Sequence, residues 1–214
     1  MNILAIETST AHCSVSIQGK DINYHEDRAA PQKHAELILP MIEKAMQETG
    51  VNSSQLDLLA FGEGPGAFTG LRIAAGVIQG LALGWDKPVV AISSLEALAY
   101  QGFKHLGKQA WLACLDARMG EVYTQFCEFS QQGDLLNSST ASLVKADSLS
   151  TLSFKNGIGD IEASYPEQIQ KFETWLTAVP VAFAIAELAA QKAASAADLS
   201  QQVPQPVYLR ASVS

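Results

Sequence analysis

An apolar run from Leu56 to Phe61 breaks directly into Gly62-Glu63-Gly64-Pro65-Gly66, and a long helical pattern follows from about Phe68 to Leu83. Strand, glycine turn and helix in immediate succession imply a sheet covered by helices. The helix is the stronger constraint. Between Leu71 and Leu83 its only polar side chains are Arg72 and Gln79, seven residues apart and so on one stripe. A helix lying on a sheet needs one apolar face, whereas one apolar nearly all round must be covered elsewhere too. Gly76 and Gly80, with Gly84 beyond, recur every four residues and would let another helix approach closely. Two coverings stay open at this point: burial beneath the chain's own helix at 31–49, or a partner protein.

The flanking sequence extends the alternation. Ile3 to Ile6 reads as a strand, Ser14 to Ile17 alternates with period two, and Gly19-Lys20-Asp21 turns the chain into a returning strand from Ile22 to Glu26. Pro31 starts a helix whose apolar positions include Leu37, Ile38, Met41, Ile42 and Met46, and Gly50 ends it. Pro88 to Ile92 is another buried strand, and Ser93 or Ser94 caps a helix through about Gln101. Residues 102–108 read as a linker. Beyond it, Ala110 to Leu115 and Glu121 to Phe129 are strands, 130–142 is loop-like, and 143–178 is weakly patterned. An Ala-rich helix spans about 181–195, and the tail at 204–210 is extended. The division expected is an N-terminal lobe at 1–104 and a smaller lobe at 105–214, the last helix packing back at the lobe junction.

Composition excludes several classes. With 48% hydrophobic and 17% charged residues in 214, the chain can build a core. Fourteen Lys and Arg against twenty-two Asp and Glu leave a charge of −8, which disfavours direct high-affinity binding of nucleic acid or of an anionic membrane. Cys13, Cys114 and Cys127 are far apart in apolar stretches, so they read as buried structural thiols in a reducing compartment. The N-terminus is a strand with an acid at Glu7, not a signal peptide, and the apolar stretch from Ile73 to Trp85 is too short to span a bilayer. A cytoplasmic protein is expected.

Chemistry is sparse. Glu7, Thr8, Ser9, Gly64, Gly66 and Thr69 are the candidate contacts for a nucleotide or anion, because backbone N–H groups before a helix can hold a phosphate. A tight strand-to-helix turn explains the same glycines, and Glu63 would repel an anion if it pointed inward. Asp116 and Arg118, two apart at a strand end, are either a salt-bridged turn or an interlobe polar pair. His12, His25, His34 and His105 have no metal-ligand spacing, and no nucleophile–base pair stands out. Neither a catalytic residue nor a metal site is expected.

Five stretches together resemble the TsaB (YeaZ) family: Ile3-Leu4-Ala5-Ile6-Glu7-Thr8-Ser9-Thr10, Gly64-Pro65-Gly66-Ala67-Phe68-Thr69-Gly70-Leu71-Arg72, Gln79-Gly80-Leu81-Ala82-Leu83-Gly84, Asp116-Ala117-Arg118-Met119-Gly120-Glu121-Val122-Tyr123 and Pro206-Val207-Tyr208-Leu209-Arg210. They lie in family order along nearly the whole chain. The resemblance implies an α/β, actin/hexokinase-like (ribonuclease H-like) fold of two lobes. It implies a noncatalytic subunit for forming threonylcarbamoyladenosine at position 37 of tRNA, beside the catalytic paralogue TsaD and the ATPase TsaE. It also implies a homodimer when alone, tRNA contact only through the complex, and ATP or ADP only in the complex.

Against TsaD, whose metal sits on an H-x-x-x-H pair, this chain shows Ser94 and Leu98, and Ala11 and His12 stand where TsaD has acids. An alcohol and an alkyl chain cannot replace two imidazoles. The partner interface is expected on Leu37, Ile38, Met41, Leu71, Ala75, Gly76, Ile78 and Gly80. The alternative in another class is an independent small kinase or hydrolase of the same fold.

Overall fold

The computed structural model describes residues 1–151, 154–193 and 204–210. Two compact units share the chain: 1–94 with 181–207, and 95–180 with 208–214. The boundary expected at 104 therefore falls ten residues earlier, and the Ala-rich helix expected in the second lobe belongs to the first unit. Its physical reason is packing, since that helix lies on the first sheet.

The first unit is built on a five-stranded sheet in the order β3-β2-β1-β4-β5. Its strands are β1 (Ile3–Glu7), β2 (His12–Gln18), β3 (Asn23–Ala29), β4 (Leu58–Gly64) and β5 (Val89–Ser93). β1, β2 and β3 form an antiparallel meander, while β1, β4 and β5 run parallel. Helices α1 (His34–Thr49) and α2 (Phe68–Trp85) supply the crossovers. Side chains alternate across a strand, so Leu4, Ile6, Cys13, Val15, Ile17, Leu59 and Phe61 share one core with Ile38, Met41, Ala74 and Ile78 of the helices. The other face carries smaller residues such as Ala5, Ser14, Ser16 and Ala60, all buried. They leave room for α5 (Ala182–Gln191), whose Ala182 N–H donates to the Ser14 hydroxyl at 2.8 Å.

Helix α1 begins at His34 rather than at Pro31, because Gln32 is left-handed (φ 62°) and interrupts the turn before it. Helix α2 reaches Trp85 and, at eighteen residues, is long and apolar enough to cross a membrane by length and composition alone. That corrects the expectation drawn from the shorter run at 73–85. Gly70, Leu71, Ala74, Ala75, Ile78 and Ala82 are buried in its own unit, the stripe of a helix lying on a sheet.

The second unit repeats the strand plan in a six-stranded sheet: β6 (Ala110–Arg118) and β7 (Glu121–Phe129) make a hairpin, and β10 (Asn156–Gly159) and β11 (Thr174–Thr177) lie parallel to β6. Two further strands pair with β7: β8 (Leu135–Ser138), where the sequence suggested a loop, and β9 (Ser142–Lys145), at the start of the weakly patterned stretch. Nor are residues 102–108 a linker, since α3 (Ser94–Leu106) continues through most of them. Gly102 permits this: a Cβ there would strike the Trp111 ring at 2.7 Å. One short helix, α4 (Pro166–Ile169), completes the set.

Candidate functional site

Three places hold the residues singled out by the sequence. At the C-terminal end of β1 the Glu7 carboxylate is buried, with Oε1 accepting the Ser9 N–H at 2.5 Å and Oε2 accepting the Ser94 hydroxyl at 2.7 Å. Burial pushes its carboxyl above the usual range, against the pull of those hydrogen bonds from Ser94 and Ser9. Ser94 is thereby engaged with Glu7, and Leu98 is fully buried. Among the described residues no group of three or more His, Cys, Asp or Glu could hold a metal.

The glycine loop is packed by its own chain. A Cβ on Gly62 would collide with the Glu7 carboxylate, one on Gly66 with Ser9, and one on Gly70 with the Thr8 carbonyl. Gly64, left-handed at φ 104°, faces Leu71 and the Val207 carbonyl. The first turn of α2 therefore sits directly on the Thr8-Ser9 loop. Ala67 N–H donates to Ser9 O at 2.6 Å, and the Thr8 hydroxyl donates to Gly70 O at 2.8 Å. The N–H of Ala67, which an anion would use, is already engaged, while Thr69 is exposed. Close approach of the Glu7 side chain at Gly62, and of the Ser9 and Thr8 backbone at Gly66 and Gly70, accounts for the lack of side chains at these three positions.

The second place is the outer side of α1 and α2. Of the eight interface candidates, Ile38, Met41, Leu71, Ala75 and Ile78 are at most 4% exposed within the chain's own fold. Their stripe faces the first sheet, so they form core and not surface. Leu37 is half-buried, and Gly76 and Gly80 are exposed. Among the described residues, a Cβ on Gly76, Gly80 or Gly84 would meet nothing within 4 Å. Beside these glycines Leu83 is 78% exposed, and Phe68 lies under the Arg72 guanidinium at 3.7 Å. A groove of about 610 Å³ runs between the helices, lined by Leu39, Ile42, Met46, Leu81 and Trp85 among others. The sequence reading missed Leu83 and Leu39. The glycine spacing carried the signal, since positions 72, 76, 80 and 83 share one helical face.

The third place is the β6–β7 hairpin. Asp116 accepts the Arg118 N–H at 2.7 Å and its guanidinium at 3.1 Å, and it also accepts the Ser164 hydroxyl at 2.8 Å. Asp160 accepts the Asp116 N–H at 2.8 Å, and burial raises the Asp160 carboxyl. Arg118, Met119 and Gly120 are all left-handed, and Arg210 grips the turn through Glu121 and the Arg118 carbonyl. Asp116 and Arg118 are thus an ion pair within one hairpin. The three cysteines are buried, and burial with nearby Asp27 and Glu7 pushes the Cys13 thiol up to about 12, far from a reactive thiolate.

Comparison with known proteins decides the family. The model of the family described as TsaD, tRNA N6-adenosine threonylcarbamoyltransferase, matches residues 27–212. A Haemophilus influenzae protein, tRNA threonylcarbamoyladenosine biosynthesis protein TsaB, is 35% identical over 227 residues, covering 100% of this chain and 95% of its own. The chain belongs to the TsaB family. Its Escherichia coli relative of the same description is 37% identical over 148 residues, 69% of this chain and 64% of that one. The solved structure of YeaZ from Pseudomonas aeruginosa superposes with a TM-score of 0.84 at 30% identity, over 97% of this chain and 99% of that chain. The YeaZ fold, two mixed sheets flanked by helices, is therefore the fold of this chain.

Proposed function

We propose that this TsaB-family chain serves tRNA threonylcarbamoyladenosine formation as a noncatalytic subunit that seats a TsaD-type transferase on its α1–α2 face. The open glycine stripe carries this reading. Glycine inside a helix costs roughly 0.5–1 kcal/mol relative to alanine. Among the described residues nothing lies within 4 Å of a Cβ placed on Gly76, Gly80 or Gly84, and a crossing helix would fill that space. A transferase paralogue offers such a helix, because the family model of the transferase aligns with most of this chain. An isologous version of the contact gives the homodimer formed in the partner's absence.

The chemistry belongs to the partner, and the ATPase TsaE joins the same assembly. ATP or ADP enters only in the complex, and tRNA touches this subunit only through it. The self-packed glycine loop and the Ser94–Glu7 hydrogen bond support that division. A cytoplasmic location away from membranes suits a tRNA-modifying subunit.

Gly80→Leu tests the reading. The space beside Gly80 accommodates the side chain in the monomer, so the variant stays folded but loses affinity for a purified TsaD-type subunit in calorimetry. Unchanged affinity would place the interface elsewhere. ATP turnover by the isolated chain, abolished in Glu7→Ala, would favour the kinase or hydrolase reading instead.

A further inference from the structure

The open stripe of α2 has two borders. At 100° per residue, Ile73, Val77 and Leu81 fall on the flank beside α1, and Ala75 and Gln79 fall on the opposite flank. On that opposite flank lies the C-terminal segment. The Gln79 side-chain amide donates to Pro204 O at 2.6 Å, and Val207 N–H donates to Glu63 O at 2.7 Å. The Val207 carbonyl stands 3.1 Å from where a Gly64 Cβ would be. The segment therefore runs from the middle of α2 back to the residues before its first turn.

Its sequence suits a fixed border. Pro204 and Pro206 have no N–H to leave unbonded, and their rings hold φ in the extended range. Pro204 is buried, whereas Gln205 is exposed and Val207 is 37% exposed. The backbone is anchored inward and these two side chains face outward. α1 and the segment thus lie on opposite flanks of the glycine stripe.

We propose that residues 204–207 form the second wall of the docking face, and that a transferase-type paralogue seated on the α2 glycines also contacts Gln205 and Val207. This rests on the docking role proposed above. The occupant is a helix of that paralogue, since helical glycines with open space beside them let another helix approach closely. A carboxylate introduced at Val207 would be buried unpaired in the complex and solvated in the free chain.

The test compares Val207→Asp, Gln205→Arg and Gly80→Leu with the unaltered chain, using a purified TsaD-type subunit in calorimetry, sedimentation velocity for self-association, and thermal melts. Val207→Asp is expected to weaken pairing with the paralogue roughly tenfold or more, about 1.4 kcal/mol, with its melting temperature unchanged. Should Val207→Asp destabilise the free chain, Gln205→Arg takes its place under the same criterion, together with a photocrosslinker at position 205 that must capture the paralogue. Normal pairing by the wall variants, with pairing lost in Gly80→Leu, overturns the wall and keeps the stripe. Normal pairing in Gly80→Leu too removes the docking reading itself. Weakened self-association with unaltered pairing to the paralogue assigns the segment to the like-subunit contact and overturns the proposal.

Discussion

The two units follow one strand plan with unequal means. In each, an antiparallel hairpin leads the sheet and two later strands join parallel to its first strand: β1–β2 with β4 and β5, and β6–β7 with β10 and β11. In each, the acid near the end of the first strand accepts the N–H two residues on and a serine hydroxyl: Glu7 with Ser9 and Ser94, Asp116 with Arg118 and Ser164. The crossovers differ. The first unit uses helices of sixteen and eighteen residues, and the second uses 3-10 turns and a four-residue helix. Long helices bury one face on the sheet and leave another outside; a single turn has no second face to offer. The docking face proposed above belongs to the first unit.

The largest test of that contrast is packing. Phe61→Ala, at a fully buried position under both long helices, should cost about 3–5 kcal/mol in denaturant unfolding. Leu149→Ala, within a 3-10 turn that packs into the smaller core, should cost about 2 kcal/mol, the low end for such a deletion. Equal costs would mean the second unit is as tightly packed as the first.

The paired acids give a sharper test. Because burial raises the Glu7 carboxyl in the folded chain, the folded state holds its proton to higher pH than the unfolded chain, whose value is near 4.5. The stability Glu7 contributes is thus complete below the unfolded value and is lost as pH rises through the folded one. Urea midpoints from pH 4.5 upward should show Glu7→Gln falling less steeply than the unaltered chain. The difference is at most about 1.4 kcal/mol per pH unit, the slope of one proton. Parallel curves would mean that the folded chain does not shift this carboxyl.

The smallest effect concerns the exposed glycines. Gly76→Ala and Gly80→Ala should each stabilise the isolated monomer by roughly 0.5–1 kcal/mol, since the added methyl meets nothing and the unfolded chain loses freedom. A loss of monomer stability would mean the stripe is covered within the chain.

Much of the first unit could be read from residue order. The run from Leu56 into the glycine loop and an eighteen-residue apolar helix admit few arrangements, and β2 and β3 follow from period two and a glycine turn. The second unit was less legible because four-residue strands and 3-10 turns carry too few residues to establish a period. Its β8 and β9 are edge strands held by their neighbour β7, which no local pattern announces.

The candidate site divides in the same way. Sequence alone established that α2 is apolar on more than one face and that its glycines share a side. Only the tertiary structure decided which apolar residues were core. Ile38, Met41, Leu71, Ala75 and Ile78 are as apolar as Leu83 or Leu39, and composition cannot say which side of a helix meets the sheet. It likewise decided that Gly62, Gly66 and Gly70 exist for Glu7, Ser9 and Thr8, residues some sixty positions away. Periodicity is a local property that sequence records, whereas burial depends on the neighbours that folding brings from elsewhere in the chain.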